Sequence, residues 1–472
     1  MCRIENIDAL ERIKELPDNS QDIIFGDFPY ALGSIVFIDK KDGKPKYKEA
    51  KDFQNKWNMP DHNFWEDFFI ECYRVLKYGG RVLGFGIDRQ LMLFNYYAVA
   101  AGLETQQSLY WYYLSNFPKS VDLSKQIDKK LGKDRKIVGT IKRWGGNANG
   151  GRANQKNNTY NPTKVGTLKY DNLTLPESEL AKKYEGYKYS IAPLKQVLET
   201  IMVFQKPLKT NTIIDDFILF SNGDNDISPS IWNIDNNRIV ALDDEYRNNF
   251  KFNYSINSSN TLNLNFKKST SVANEDGRYP ANLYICNNSA IKIDQQSGLL
   301  KSGSMKRGTI RKNIIGNTYN KMATHATLKE IKGDIGGCSK ILEKIDYLEE
   351  ELELLIYNPK VSKKERYFGA ENNNHPTLKP IKLIKKIALL LKTPHEQNIF
   401  FPFAGVASEI IGFEQAGYNS MKFIATEINT HFCDIGNKRI TIYKNNPIDN
   451  LLKNKLIRMC DDNKLNLLHF CS

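Results

Sequence analysis

The chain has no CxxC pair: its seven cysteines stand at 2, 72, 286, 338, 433, 460 and 471. An odd number at irregular spacing argues against both a disulfide framework and a cysteine-built zinc site, and fits a reducing, cytoplasmic setting. The six histidines are equally dispersed, so the sequence offers no metal-ligand cluster. No window approaches the roughly 18 apolar residues of a membrane span, and no signal-like apolar stretch opens the chain. Acidic residues are outnumbered, 54 Asp and Glu against 67 Lys and Arg, giving a formal net charge of +13. That excess favours a polyanionic partner, because neutralising phosphates drives nucleic-acid binding, although basic proteins without such a partner share it. With 472 residues, 41% hydrophobic, the chain is long enough for two or three domains with full cores.

Two short motifs stand out. Asp27-Phe28-Pro29-Tyr30 follows the apolar run Ile23-Ile24-Phe25, and Phe401-Pro402-Phe403-Ala404-Gly405-Val406-Ala407-Ser408 follows Asn398-Ile399-Phe400. A strand ending in an acid-proline-aromatic turn can hold a planar amine. The Asp27 carboxylate and the Phe28 carbonyl would take its two N–H groups, and an aromatic ring would stack on a flipped base. Pro29 biases Phe28 towards an extended backbone and so fixes where that carbonyl points. The same four residues also fit a strand-end turn capped by an Asp side chain. A strand ending in a Gly turn before a helix can hold a cofactor. Together the motifs suggest methylation of a base amino group.

Around them, the spacing predicts a βαβ unit. A helix over 63–76 carries apolar residues at 64/65, 68/69, 72 and 75/76, a Gly cap falls at 79–80, and a strand at 81–86 follows. From about 116 to 365 the chain turns rich in Asn, Lys, Tyr, Gly and Ser, with strand-like islands at 200–205 and 282–286. This stretch reads as an inserted domain that does not extend the regular sheet. Within it Ser339 to Ile356 has the spacing of an amphipathic helix, too short to establish dimerisation. Helix 378–391, strand 398–401, helix 408–416 and strand 422–426 restore regularity, and 446–472 reads as a helical tail.

The motifs resemble those of the β-class DNA amino-methyltransferases, particularly phage and prophage members, whose target motif is usually Asp-Pro-Pro-Tyr. Asn6-Ile7-Asp8-Ala9-Leu10 is similar to the family's opening element. Leu76-Lys77-Tyr78-Gly79-Gly80 is similar to its Leu-Lys-Pro-Gly-Gly turn, and Asn116-Phe117-Pro118-Lys119-Ser120 to its Gly-Phe-Pro-Lys-Ser element. Lys206-Pro207-Leu208, Arg278-Tyr279-Pro280-Ala281-Asn282 and Lys360 to Arg366 add to the resemblance, and Asn374-His375-Pro376-Thr377-Leu378-Lys379-Pro380 is the strongest match. The resemblance implies an α/β, Rossmann-like core with circularly permuted motif order. Its halves would be residues 1–115 and 366–445, with a target-recognition insertion at 116–365 and a tail at 446–472. It implies S-adenosylmethionine as cofactor, double-stranded DNA as partner, no metal, and a monomer or homodimer. It places Asp27, Phe28, Pro29 and Tyr30 on the target base and Asp8 on the cofactor adenine. Thr377 and Lys379 would lie beside the cofactor carboxylate, Phe403, Gly405 and Ser408 in the methionine-side loop, and Glu427 on the ribose. Glu427 alone would also read as a solvated strand-end acid.

The family's loop usually reads Asp-Pro-Phe-x-Gly-Ser-Gly-Ser/Thr, whereas here Phe401, Val406 and Ala407 replace its Asp, Ser and second Gly. If position 407 needs positive φ, even a methyl is unfavourable there. Asp27 leans the resemblance towards N6 of adenine, with N4 of cytosine as the alternative and a decayed DNA-binding relative as another. C5-cytosine chemistry is disfavoured by the lack of a Pro-Cys nucleophile, and the chain carries no nuclease motif.

Overall fold

The structure, a computed structural model, describes residues 2–29, 35–48, 60, 62–113, 120–142, 170–190, 192–239, 251–254, 269–272, 279–298, 300–301, 335–336, 338–345, 361, 363–368, 373, 375 and 377–445. Contacts divide the chain into two units, the second comprising chiefly Ser115–Val197. Tyr30, the Asn116 to Lys119 element and residues 446–472 lie outside the described residues.

The first unit is built on a ten-stranded sheet. In chain order its strands are β1 (Ile4–Glu5), β2 (Gln21–Asp27), β3 (Leu76–Gly86), β4 (Glu104–Thr105), β5 (Leu109–Tyr112), β6 (Leu198–Gln205), β7 (Leu283–Cys286), β8 (Glu343–Ile345), β9 (Ile399–Phe401) and β10 (Phe423–Thr426). They lie in the order β1-β10-β9-β2-β3-β6-β5-β7-β8, with β4 also pairing β6. Every pairing is parallel except those of β6, which runs against β3, β4 and β5. The described helices that cover or flank this part of the sheet include α1 (Ala9–Lys14), α2 (His62–Val75), α3 (Leu91–Ala100), α4 (Ile381–Leu391), α5 (Ser408–Gln415) and α6 (Thr430–Asn445).

Strand β2 is buried along nearly its whole length, as expected of a parallel strand with both faces covered. Alternation sends Ile23 and Phe25 into one core with Phe85, Ile201 and the apolar faces of α4 and α5. Ile24 faces the other core, with Val82 and the aromatic side of α2 and α3. The helical spacing of α2 buries Trp65, Phe68, Phe69, Cys72 and Val75 completely. Its last carbonyls are met by the N–H groups of Asn19 and Ser20, on the turn entering β2. The Gly cap expected at 79–80 is instead the irregular start of β3: Gly79 has φ +80° where the register with β2 shifts.

The expected separation of 116–365 from the sheet is corrected by β6, β7 and β8, which all belong to it. Strand β6 is buried on both faces between β3 and β5, so its apolar run extends the sheet from inside rather than at an edge. The predicted helix over 339–356 is corrected where described. Cys338–Ile341 form a 3₁₀ turn and Glu343–Ile345 a strand, because parallel pairing with β7 overrides the local helical spacing.

In the second unit, short antiparallel pairs join Val121–Asp122 to Lys188–Tyr189 and Ile137–Lys142 to Tyr170–Thr174. The same unit holds a polar knot in which Asp128 accepts from Arg135 Nη1 at 2.7 Å, the N–H of Glu177 and of Ser178 at 3.0 Å each, and Ser178 Oγ at 2.6 Å. Burial pushes this carboxyl up, but those donors together hold it well below the usual carboxylate range.

Phe28 shows how the aromatic core under α2 and α3 fixes the end of β2. Its ring is buried among Trp65, Phe68, Phe69, Phe94 and Phe403, at centroid separations of 5.4–6.0 Å. The ring lies over Gly84, where an added Cβ would come within 2.4 Å of it. Gly84→Ala is therefore expected to destabilise the protein by about 1–3 kcal/mol through overpacking. An unchanged midpoint in urea unfolding would show that the ring can shift away.

Candidate active site

Both motifs reach the same edge of the sheet. Asp27 ends β2, Phe401 ends β9, and Glu427 follows β10, so all three lie at the carboxyl ends of parallel neighbours, where open α/β sheets bind ligands. A cavity of about 320 Å³ opens there. Its walls include Asp8, Asp27, Phe28, Pro29, Thr377, Phe403, Gly405 and Glu427, together with His375, Asn429 and Phe432. Eight of the residues singled out in the sequence thus share one cavity. Lys379 does not line it but borders a smaller chamber of about 20 Å³, room for about one water, with Asp27, Thr377, Gly405 and Glu409. Ser408 lines neither: it is buried at the start of α5, 3.4 Å from Arg439 Nη1.

Glu427 ties two loops together. One carboxylate oxygen accepts the Gly405 N–H at 3.0 Å and the other the Asn429 N–H at 2.8 Å. Burial raises its pKa while these two backbone donors oppose the rise. A carboxylate has about four lone-pair sites, so both oxygens can still accept from a diol. Asp8 caps α1, accepting from the Leu10 N–H at 2.8 Å and the Glu11 N–H at 3.4 Å, and this holds it at the cavity wall.

The loop after β9 is tight. Gly405 has φ +49°, and a Cβ there would meet His375 Nε2 at 3.0 Å. Ala407 is left-handed, φ +70° and ψ 21°, as the N-cap of α5. The expectation of strain at 407 is met in its backbone, and the small alanine is also fully buried. Val406 fills a pocket with Val361, Leu378 and Ile435, and its carbonyl accepts from the buried Arg439 guanidinium. Phe401 packs edge-on against Phe413 and Phe423 at 5.2 and 5.3 Å, so this position faces the core.

The segment before α4 is braced from the helix Lys363–Arg366. Glu365 Oε1 accepts the Ile381 N–H at 2.6 Å, capping a helix whose own N-cap is Pro380. Arg366 donates to the His375 carbonyl at 2.5 Å. Burial, and then the positive charges of Lys379, Arg366 and Arg439, push His375 down to about 3, so its ring is neutral. This brace delivers Lys379 to Asp27: its Nζ lies 2.5 Å from Asp27 Oδ2 and 3.6 Å from Glu199 Oε2, and the side chain is only 1% exposed. Asp27 thus pairs with a lysine and, among the described residues, caps no helix. Its other oxygen, Oδ1, is buried and has no hydrogen-bond partner among the described residues.

Two acids here were not singled out in the sequence. Glu199 is the one charged residue in the apolar run of β6, a signal that could have marked it. Glu409, in the first turn of α5, is buried close to Asp27. Burial, and then the Asp27 charge, raise its pKa to about 7, against Lys379 and Arg439.

These environments give two expectations. Because the Glu409 pKa is raised above its unfolded value, its contribution to stability is full below about pH 4.5 and is lost as pH rises through about 7. Glu409→Gln should therefore gain on the parent by up to about 3 kcal/mol as pH goes from 5 to 8. Denaturant midpoints at the two values test this, and a pH-independent difference would contradict it. At Ala407 the left-handed backbone costs about 1–2 kcal/mol and the buried methyl returns about 0.8 kcal/mol. Ala407→Gly should therefore stabilise by no more than about 1 kcal/mol, and a clear loss in the same assay would mean that the methyl outweighs the strain.

Among the described residues no helix is long and apolar enough to cross a membrane, and no group of His, Cys, Asp and Glu is placed to hold a metal ion. No curated protein sequence matches the chain. Among solved structures, the chain is similar to the M1.HpyAVI complex with S-adenosylmethionine at 12% identity and a TM-score of 0.33, covering 93% of this chain and 99% of that one. TTHA0409, described as a putative DNA modification methylase from Thermus thermophilus and complexed with S-adenosylmethionine, aligns at 9% identity and a TM-score of 0.32, over 95% of this chain and 97% of that one. PvuII DNA methyltransferase, described as cytosine-N4-specific, aligns at 11% identity and 0.32, over 93% and 87%. The family model for N6/N4 DNA methylases, described as DNA methylase, matches residues 21–438, and the chain belongs to that family.

Proposed function

We propose that the protein methylates an exocyclic amine of a flipped base in double-stranded DNA, N6 of adenine by preference, with S-adenosylmethionine as methyl donor. The observation that carries this reading is Asp27, a residue of the wall of a cavity shared with the Gly405 loop, whose Oδ1 is buried and has no partner among the described residues. A buried acceptor without a donor is unfavourable by about 1–3 kcal/mol, and an incoming N–H would relieve it. The net charge of +13 supports a duplex partner. The preference for adenine rests on Asp at position 27 and on the resemblance to the β-class enzymes.

The residues fit the cofactor. Glu427 offers a carboxylate to a diol, Asp8 a polar wall, Phe403 an aromatic face, and Thr377 and Gly405 the rest of the cradle. When bound, the cofactor supplies an activated methyl on a sulfonium, so the protein's task is positioning. Asp27 Oδ1 accepts one amine N–H and the Phe28 carbonyl the other, which concentrates electron density on the nitrogen. Phe28 can offer only this carbonyl, because its ring is fixed in the core. Pro29 stiffens the turn, and Tyr30 would stack on the base. Contacts that select the DNA sequence are assigned to the second unit, whose strands stand outside the main sheet.

The protein incubated with S-adenosylmethionine and unmethylated duplex DNA should yield N6-methyladenine on nucleoside mass spectrometry. N4-methylcytosine would keep the mechanism and change the base, whereas no methylated nucleoside would refute the reading and leave a decayed relative. Asp27→Ala should slow transfer at least about 100-fold. Glu427→Ala should weaken cofactor binding about 10-fold or more, as expected for loss of a charged hydrogen-bonding group.

A further inference from the structure

Among the described strands of the sheet β6 alone is reversed, so its first residues lie at the edge where the parallel strands end. The register puts Asp27 opposite Phe85, and Phe85 opposite Ile201. Paired residues share a face, as do residues two apart on a strand. Asp27, Phe85, Ile201 and Glu199 therefore line one face of three adjacent strands. Lys379 descends onto this row from the loop before α4. Its Nζ lies 4.9 Å from the Phe85 ring centroid, 2.5 Å from Asp27 Oδ2 and 3.6 Å from Glu199 Oε2. Lys379 and Glu199 are 1% and 2% exposed.

We infer that Lys379, steadied from β6 by Glu199, is a positioning residue that occupies Asp27 Oδ2 and so presents Oδ1 alone to the target amine. The inference rests on the reading above, in which Asp27 receives the amine. An unrestrained carboxylate can rotate and offer either oxygen. One locked to a buried ammonium offers a single acceptor in a fixed direction, and preorganisation of this kind is where an enzyme of this chemistry gains rate. Glu199, 3.6 Å from the same ammonium, shares its charge, so that Asp27 is not drawn wholly into the pair. Lys379 is thereby turned away from the part expected from the resemblance, contact with the cofactor carboxylate.

Calorimetric titration of S-adenosylmethionine into the parent and Lys379→Met tests that difference without DNA. The dissociation constant should change less than about 3-fold, whereas a lysine on the cofactor carboxylate would make it about 10–100-fold weaker, which would overturn the inference. In single turnovers with saturating cofactor and unmethylated duplex DNA, Lys379→Met should slow transfer about 100-fold or more. Lys379→Arg should recover part of the rate, and Glu199→Gln should lose about 10-fold with the KM for DNA unchanged. Parental rates in Lys379→Met would overturn the inference. If the parent binds cofactor but methylates no DNA, the proposed function fails by itself. The pairing is then read from melting temperatures of Asp27→Asn, Lys379→Met and the double variant. Non-additive shifts support the lock, and additive shifts overturn it. Should Lys379→Met not fold, Lys379→Arg and Glu199→Gln carry the same measurements.

Discussion

A buried ammonium constrains everything near it. Removing Lys379 from water costs several kcal/mol, and only close carboxylates in good geometry offset this. Asp27 comes from the end of β2, Glu199 from the start of β6, and Lys379 from the loop entering α4. Three distant parts of the chain must therefore meet within a few ångströms. The reversal of β6 meets this need, since a parallel strand would bring its first residues to the opposite edge. The Glu365 and Arg366 contacts, which fix the loop carrying Lys379, serve the same end.

The second side of the cavity depends on a different carboxylate. Glu427 spends part of its hydrogen-bonding capacity on the backbone of its own site, tying the Gly405 turn to the turn at Asn429. It is held in place by what it holds. The cavity thus lies between an acid with one oxygen unpartnered among the described residues and an acid that organises the wall.

The sequence made the core legible where periodicity and motif coincide. The helix of Trp65 and Phe68, the strand ending at Asp27 and the Gly turn before α5 are all where the residues place them. Phe401 and Ala407 were legible as departures, but their surroundings were not. Only packing shows that Phe401 faces Phe413 and Phe423, and only the backbone shows that Ala407 is left-handed. The place of β6 was illegible because a buried strand inside a polar region looks like an island, and strand direction leaves no mark in composition. Glu199 and Glu409 escaped notice for a related reason: their meaning lies in neighbours far away in sequence. The Lys379–Asp27 pair spans most of the chain, and no local pattern announces it.

The position of β2 has a consequence for biosynthesis. Strand β2 pairs on one side with β9, and the Asn398 N–H donates to Asp22 Oδ2 across 376 positions of sequence. A chain emerging from the ribosome at about 5–20 residues per second carries that edge of β2 without its partner until almost the whole sequence has been made. Contacts of such separation make folding slow, and the unpaired edge is open to other strands meanwhile. The β2 edge, like that of β1, which waits for β10, is thus unpaired through most of synthesis, and the cavity is assembled among the last parts of the molecule.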